Sequence, residues 1–276
     1  MSGRIEGRFA QLRGEGRAGF VAYVMAGDPD FERSKEILLG LPAAGADVIE
    51  LGIPFSDPMA DGPAIQRGAL RALAAGTNLQ RIFDLLREFR RQDAATPVVL
   101  MGYLNPLLSM GYREFARAAA DAGADGVIMV DCPPEEADPL ADALDAQGLA
   151  LIRLATPTTD AARLAVVARR TRGFVYYVSV AGVTGGKAVD AVAVAPQVER
   201  VRAASGLPVA VGFGIRTPQQ AAAVAKVADA AVVGSALVDA VAGALEAGED
   251  PAAAVRRTAS DLAAAVRTSR REAVHG

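Results

Sequence analysis

Residues 47–66 read Asp47-Val-Ile-Glu-Leu-Gly-Ile-Pro-Phe-Ser-Asp-Pro-Met-Ala-Asp-Gly-Pro-Ala-Ile-Gln66. The stretch opens as a strand: Val48, Ile49 and Leu51 are apolar and two of them are β-branched. Glu50 interrupts the run. An ionised carboxylate left unpaired in a core is costly, so a glutamate inside a buried strand is edge-placed, salt-bridged or kept for chemistry. Gly52 and Pro54 end the strand, and Asp57-Pro58 and Asp61-Gly62-Pro63 supply turn chemistry. A strand end therefore presents Glu50, and the loop after it presents Asp57 and Asp61. Loop aspartates ordinarily cap or turn, so the rest of the chain has to separate the structural reading from the chemical one.

The same grammar recurs on both sides of this stretch. Apolar runs fall at 20–25, 47–52, 97–101, 126–130, 150–154, 174–178, 208–211 and 230–233, and each precedes a helical pattern. The runs are short and nearly continuous rather than alternating, as expected of parallel strands covered on both faces. Helices are expected near 64–74, 78–92, 112–122, 135–146, 160 onward and 190–204, with N-caps at Asn78, Thr159 or Asp160, and Thr217-Pro218. A further helix starts at Asp250-Pro251, and residues 2–14 read as a short polar helix. Eight strand–helix units predict an α/β fold: a closed (β/α)8 TIM barrel with an extra N-terminal helix. No Pro/Gly/Ser linker divides the chain, so residues 1–276 read as one domain. The competing architecture, an open doubly wound sheet, usually has fewer units and a clear nucleotide fingerprint.

Composition narrows the chemistry. The 276 residues are 51% hydrophobic and 22% charged with a net charge of −3, which suits one large core and gives no basic track for nucleic acid. Cys132 is the lone cysteine and His275 the lone histidine. A disulfide within the chain, a Ser-His-Asp triad, a Cys-His pair and a histidine or thiolate metal site are thereby excluded. Acid–base work falls to carboxylates, tyrosine or lysine. No export signal is seen at the start, and no apolar run reaches the roughly 18 residues of a membrane span, so the expected location is the cytoplasm.

Glycines gather after the last strands: Gly182-Val-Thr-Gly-Gly-Lys187, Gly212-Phe-Gly-Ile-Arg216 and Gly234-Ser235 before a helix. Any one of them reads as a turn. Three together, at the strand ends where barrels hold phosphate, predict an anion site built from backbone N–H groups and a helix N-terminus. The first cluster is not a P-loop, since Ala188 stands where Ser or Thr is required. The second is not a dinucleotide fingerprint, since Thr217 replaces its glycine.

The segment Glu50 to Gln66 closely resembles the signature of the tryptophan synthase alpha subunit family. Further matches are Gly27-Asp28-Pro29, Tyr103-Leu-Asn-Pro106, Asp131-Cys-Pro133, Gly182-Val-Thr-Gly185, Gly212-Phe-Gly-Ile215 and Gly234-Ser235, in family order from about residue 20 to 265. The resemblance implies a lyase that cleaves indole-3-glycerol phosphate to indole and glyceraldehyde 3-phosphate in tryptophan biosynthesis. It implies Glu50 and Asp61 as the catalytic pair, and phosphate held around Gly185, Gly214, Gly234 and Ser235. Tyr176, Phe213, Ile65, Met101 and Ile128 would lie near the indole and its side chain, with Tyr23 and Thr184 on the same pocket. It implies a beta subunit as partner in an α2β2 heterotetramer, with Pro54, Asp57 and Asp131 at the interface. The resemblance implies no cofactor or metal in this chain; pyridoxal phosphate belongs to the partner. Departures from the family pattern are Val180-Ala181, where some members carry Arg-Ser, and Tyr23 and Met25, where Phe and Thr are common.

The residues suit that chemistry on their own terms. Cleaving this carbon–carbon bond needs the indole C3 protonated, the ring nitrogen's developing charge stabilised and a glycerol hydroxyl deprotonated. A carboxylate on a rigid strand whose pKa burial raises toward neutral can shuttle the proton, which is the role expected of Glu50. A second, ionised carboxylate, Asp61, can stabilise the nitrogen. Lys187 lies in a loop rather than on a strand, which argues against a Schiff-base aldolase. Loops 53–63 and 180–194 are expected to move and to close over substrate. Other readings are a different phosphate-binding barrel enzyme, which leaves the 50–66 motif unexplained, a regulatory subunit without activity, which leaves Glu50 and Asp61 unexplained, and a lyase that releases free indole without a partner.

Overall fold

The apolar runs become eight parallel strands in a closed barrel, in the computed structural model, which describes residues 3–179, 191–212 and 214–270. They are β1 (Gly19–Met25), β2 (Val48–Gly52), β3 (Val98–Gly102), β4 (Gly126–Met129), β5 (Ala150–Ala155), β6 (Val175–Val178), β7 (Val209–Gly212) and β8 (Ala230–Val233). Each strand pairs with the next in chain order, and β8 returns to β1. Around them run α1 (Arg4–Gly14), α2 (Phe31–Gly40), α3 (Pro63–Ala74), α4 (Leu79–Gln92), α5 (Leu104–Met110) and α6 (Tyr112–Ala122). The second half adds α7 (Asp138–Asp145), α8 (Ala161–Arg169), α9 (Ala191–Ser205), α10 (Pro218–Val227), α11 (Ser235–Ala247) and α12 (Pro251–Thr268).

Strand alternation divides the core in two. Phe20, Ala22, Val24, Ile49 and Leu51 face the helices, whereas Val21, Tyr23, Met25 and Val48 fill the barrel interior. Both faces are apolar, which is why the runs read as continuous. Glu50 has the same parity as Val48, so its side chain belongs to the interior, in register with Tyr23 and Val99.

The expected caps form. Asn78 and Asp160 accept from the backbone N–H groups of Arg81 and Arg163, and Thr217 and Gln220 make a reciprocal capping box. Two elements differ from the sequence reading. The N-terminal helix is not polar all round: Ile5, Phe9 and Leu12 form a buried stripe, and the Phe9 ring lies 5.5 Å from that of Phe174. It plugs the bottom of the barrel, in a hollow that Gly19 and Gly173 keep clear for Leu12 and Ile5. The second is α5, a short helix after β3 hidden in the sequence by Pro106, which sits in its first turn.

A repeated device closes the bottom rim. Asp47, Asp125 and Asp229 each stand just before an even-numbered strand and accept from the first N–H groups of the preceding strand, at Phe20, Val98 and Val209. An arginine covers each carboxylate: Arg17, Arg90 and Arg202. The charges at this end are thus spent on holding strand pairs, which leaves the opposite mouth for chemistry.

Candidate active site at the C-terminal mouth of the barrel

At the upper ends of the strands lies a pocket, partly open to solvent and lined by Tyr23, Glu50, Asp61, Ile65, Met101, Tyr176, Gly214, Ile215, Val232, Gly234 and Ser235. Glu50 projects from the middle of β2 and is 0% exposed. Neither of its carboxylate oxygens has a hydrogen-bond partner among the described residues. Burial alone pushes its pKa up from 4.5 to about 8.

Asp61 comes from the loop between β2 and α3. A turn holds it: its N–H donates to the Pro58 carbonyl at 3.0 Å, and Pro63 begins α3 two residues on. The Tyr103 hydroxyl donates to its carboxylate and accepts from the Ala60 N–H at 3.0 Å. Burial raises the Asp61 pKa to about 6, the Tyr103 hydrogen bond working in the opposite direction. At neutral pH the pocket therefore holds a protonated carboxyl at Glu50 and an ionised one at Asp61. The same side-chain chemistry carries two charges, set by environment.

Two tyrosines wall the pocket, and glycines make room for them. A Cβ at Gly52 would lie 2.2 Å from the Tyr23 hydroxyl oxygen, and one at Gly212 would lie 2.1 Å from that of Tyr176. The pocket also offers backbone. Gly214 has φ +78°, a conformation that favours glycine. Gly234 precedes α11, whose start has no side-chain cap, so the first N–H groups of that helix remain available to an anion.

The chain as a whole is similar to known proteins. A family model described as "Tryptophan synthase alpha chain" matches residues 9–267. The chain belongs to the tryptophan synthase alpha chain family. It is 69% identical over 268 residues to the tryptophan synthase alpha chain of Phenylobacterium zucineum, covering 97% of each chain. Identity to that of Caulobacter vibrioides is 67% over 267 residues, again covering 97% of each. The structure of tryptophan synthase subunit alpha from Legionella pneumophila superposes with a TM-score of 0.90 at 42% identity, covering 96% of this chain and 99% of that one.

Within this tryptophan synthase alpha fold, Glu50, Asp61, Tyr23, Ile65, Met101, Tyr176, Gly214, Gly234 and Ser235 all converge on one pocket. Ile128 does not line it: the side chain is sealed in the barrel interior, 0% exposed, beside its register partner Met101. Thr184, Gly185, Lys187 and Phe213, with most of the 180–194 loop, lie outside the described residues, as does His275. Of the residues expected to face a partner, Asp57 is exposed and Pro54 buried. Asp131 ties the loop after β4 to the start of α5 by accepting from the Leu104 N–H at 2.8 Å. Asp28 is structural: Arg71 donates to both its oxygens at 2.7 and 2.8 Å.

Three site residues escape a reading of the sequence. Tyr103 stood out only as part of the Tyr103–Pro106 match; its contact with the 50–66 segment spans 43 positions from Ala60, and no spacing rule links them. Ile215 and Val232 also line the pocket; Ile215 stood out only within the Gly212–Ile215 match, and Val232 looks like an ordinary strand residue. No group of three or more His, Cys, Asp or Glu suited to a metal occurs among the described residues. No helix among them is long and apolar enough to cross a membrane.

Proposed function

We propose that Glu50 and Asp61 carry the retro-aldol cleavage of indole-3-glycerol phosphate to indole and glyceraldehyde 3-phosphate, the lyase reaction of the family to which the chain belongs. The observation that carries this assignment is Glu50 itself: a fully buried carboxyl, without a partner, on a rigid strand and facing a pocket. Stability alone gives no reason to keep it there.

The roles follow from the two charges. Glu50 enters protonated and gives its proton to indole C3, which leaves positive charge on the ring nitrogen. Asp61, ionised and held by Tyr103, stabilises that charge. Glu50, now a carboxylate, takes the proton of the adjacent glycerol hydroxyl. The oxygen forms the aldehyde carbonyl, the C–C bond breaks, and its electron pair returns to the ring to give neutral indole. Glu50 ends as it began, protonated. The phosphate sits on the backbone of Gly214, Gly234 and Ser235, with Gly185 completing the cradle, and the apolar wall of Ile65, Met101 and Tyr176 takes the indole.

As an alpha chain of tryptophan synthase, the protein works with a beta subunit. In our reading the complex is an α2β2 heterotetramer, pyridoxal phosphate belongs to beta, and this chain needs no cofactor of its own. Beta docks on the mouth-side loops around Pro54, Asp57 and Asp131, where Met59 is 76% exposed and Leu108 on α5 is 53% exposed. Residues 53–63 act as a closing loop over substrate. Cytoplasmic location accords with this biosynthetic role.

The test is indole release from indole-3-glycerol phosphate by the purified chain with and without beta, beside Glu50→Gln and Asp61→Asn. Release that beta accelerates and both variants lose is the expected result. Full-rate release by Glu50→Gln would overturn the catalytic assignment.

A further inference from the structure

Tyr23 is tied to the catalytic end of the barrel by two glycines, Gly52 at the end of β2 and Gly234 just after β8. The base of its side chain packs against Gly234, where a Cβ would lie 3.1 Å from Cδ1 and 3.3 Å from Cβ and Cγ. Its hydroxyl rests over Gly52, two residues beyond Glu50 on the same face of β2. Tyr23 and Glu50 are also register partners across β1 and β2. The ring thus spans the pocket floor from the end that offers backbone to a phosphate to the end that holds the shuttling carboxyl. A substrate bound with its phosphate at the first end and its reacting carbon at the second would have its linking chain over this ring.

The hydroxyl has little to do in the free protein. Its partner among the described residues is the Met25 thioether, at 4.0 Å, a weak acceptor. Side chain and ring are 8% exposed. A buried O–H with so poor an acceptor is available to a better one without breaking a good bond inside the protein. Burial and the carboxylates of Asp61 and Glu50 push its ionisation well above that of an ordinary tyrosine, so it remains a donor.

We infer that Tyr23 is a further catalytic residue, whose hydroxyl donates a hydrogen bond to the substrate oxygen that Glu50 deprotonates. This rests on the assignment of Glu50 above. The oxygen acquires negative charge as its proton leaves for Glu50 and loses it as the carbonyl forms and the C–C bond breaks. A fixed donor aimed there gains strength in the transition state over the ground state, so it lowers the barrier rather than merely tightening binding. Tyr23 itself neither gains nor loses a proton over the cycle.

The test uses the complex with beta and the variant Tyr23→Phe, which removes one oxygen and keeps the ring. Two readouts are needed: kcat for indole-3-glycerol phosphate, and the affinity for 3-(indol-3-yl)propyl phosphate, an analogue without the hydroxyls. The expected result is a loss of about tenfold in kcat, as for one neutral hydrogen bond made in the transition state, with analogue affinity unchanged. Wild-type kcat in Tyr23→Phe would overturn the inference. An equal loss of analogue affinity would overturn it too, since that marks a packing role. Glu50→Gln is run alongside: if it is inactive while Tyr23→Phe is normal, only the tyrosine inference fails, whereas an active Glu50→Gln removes the reading on which it rests.

Discussion

The burial of Glu50 has a thermodynamic consequence that can be measured without substrate. Its carboxyl titrates near 4.5 when unfolded and at about 8 in the folded barrel. The native state therefore holds a proton that the unfolded chain gives up. The stability contributed by protonated Glu50 is complete below about pH 4.5, and it is lost progressively as the pH rises to about 8. At 1.36 kcal/mol for each pH unit, the climb from pH 5 to pH 8 costs the wild-type fold on the order of 4 kcal/mol, and nothing more is lost above. Glu50→Gln cannot ionise, so it escapes that loss, although its amide pays for being unpartnered at every pH. Urea unfolding of wild type and Glu50→Gln from pH 5 to pH 9 isolates the effect: the offset between the curves changes with pH, while the cost of the buried amide does not. The expected outcome is a stability difference that moves toward Glu50→Gln by about 4 kcal/mol and flattens beyond pH 8. Parallel profiles would refute the reasoning, because they would mean that Glu50 titrates in the fold as it does in water.

Three other outcomes follow from single contacts. Tyr103→Phe removes the hydrogen bond that holds the Asp61 pKa down, so the acid limb of kcat/KM should move above its wild-type position near pH 6; an unmoved limb would divorce Tyr103 from Asp61. Arg153, on the helix-facing side of β5, buries all three guanidinium nitrogens with no acceptor among the described residues. Arg153→Met should therefore raise stability in urea by at least about 1–3 kcal/mol with kcat unchanged, and a loss of stability would reveal a partner for the arginine. At the far end of the barrel Asp47 is 3% exposed and receives Arg17 and the Phe20 N–H. Asp47→Ala should cost about 3–5 kcal/mol of stability, read by denaturation, and leave the KM for indole-3-glycerol phosphate as it was.

What could be read from the chain alone was whatever local pattern encodes. A parallel strand covered on both faces needs apolar residues at every position, so eight short runs followed by helices spell out a closed barrel. Glu50 was conspicuous for the same reason, as a charge where the pattern demands none. The caps at Asn78, Asp160 and Thr217 were legible because a cap is a contact between residues three apart. The glycines after the last strands raised the expectation of an anion site at the mouth, and the resemblance across residues 50–66 supplied the reaction.

The tertiary structure decided everything that depends on residues distant in the chain. Parity gave Glu50 an interior direction, but only barrel closure deprived it of partners and so raised its pKa. Tyr103 became the holder of Asp61 because the ends of β2 and β3 are neighbours, a relation that no spacing in the chain encodes. The helix before β1 read as polar until its Ile5, Phe9 and Leu12 stripe found the open bottom of the barrel. Ile128, expected near the indole, is fully buried in the barrel interior beside Met101. Hydrophobic periodicity is fixed by neighbours a few positions apart, whereas desolvation and hydrogen-bond partnership are set by whatever the fold brings together, and the chemistry of this pocket rests on the latter.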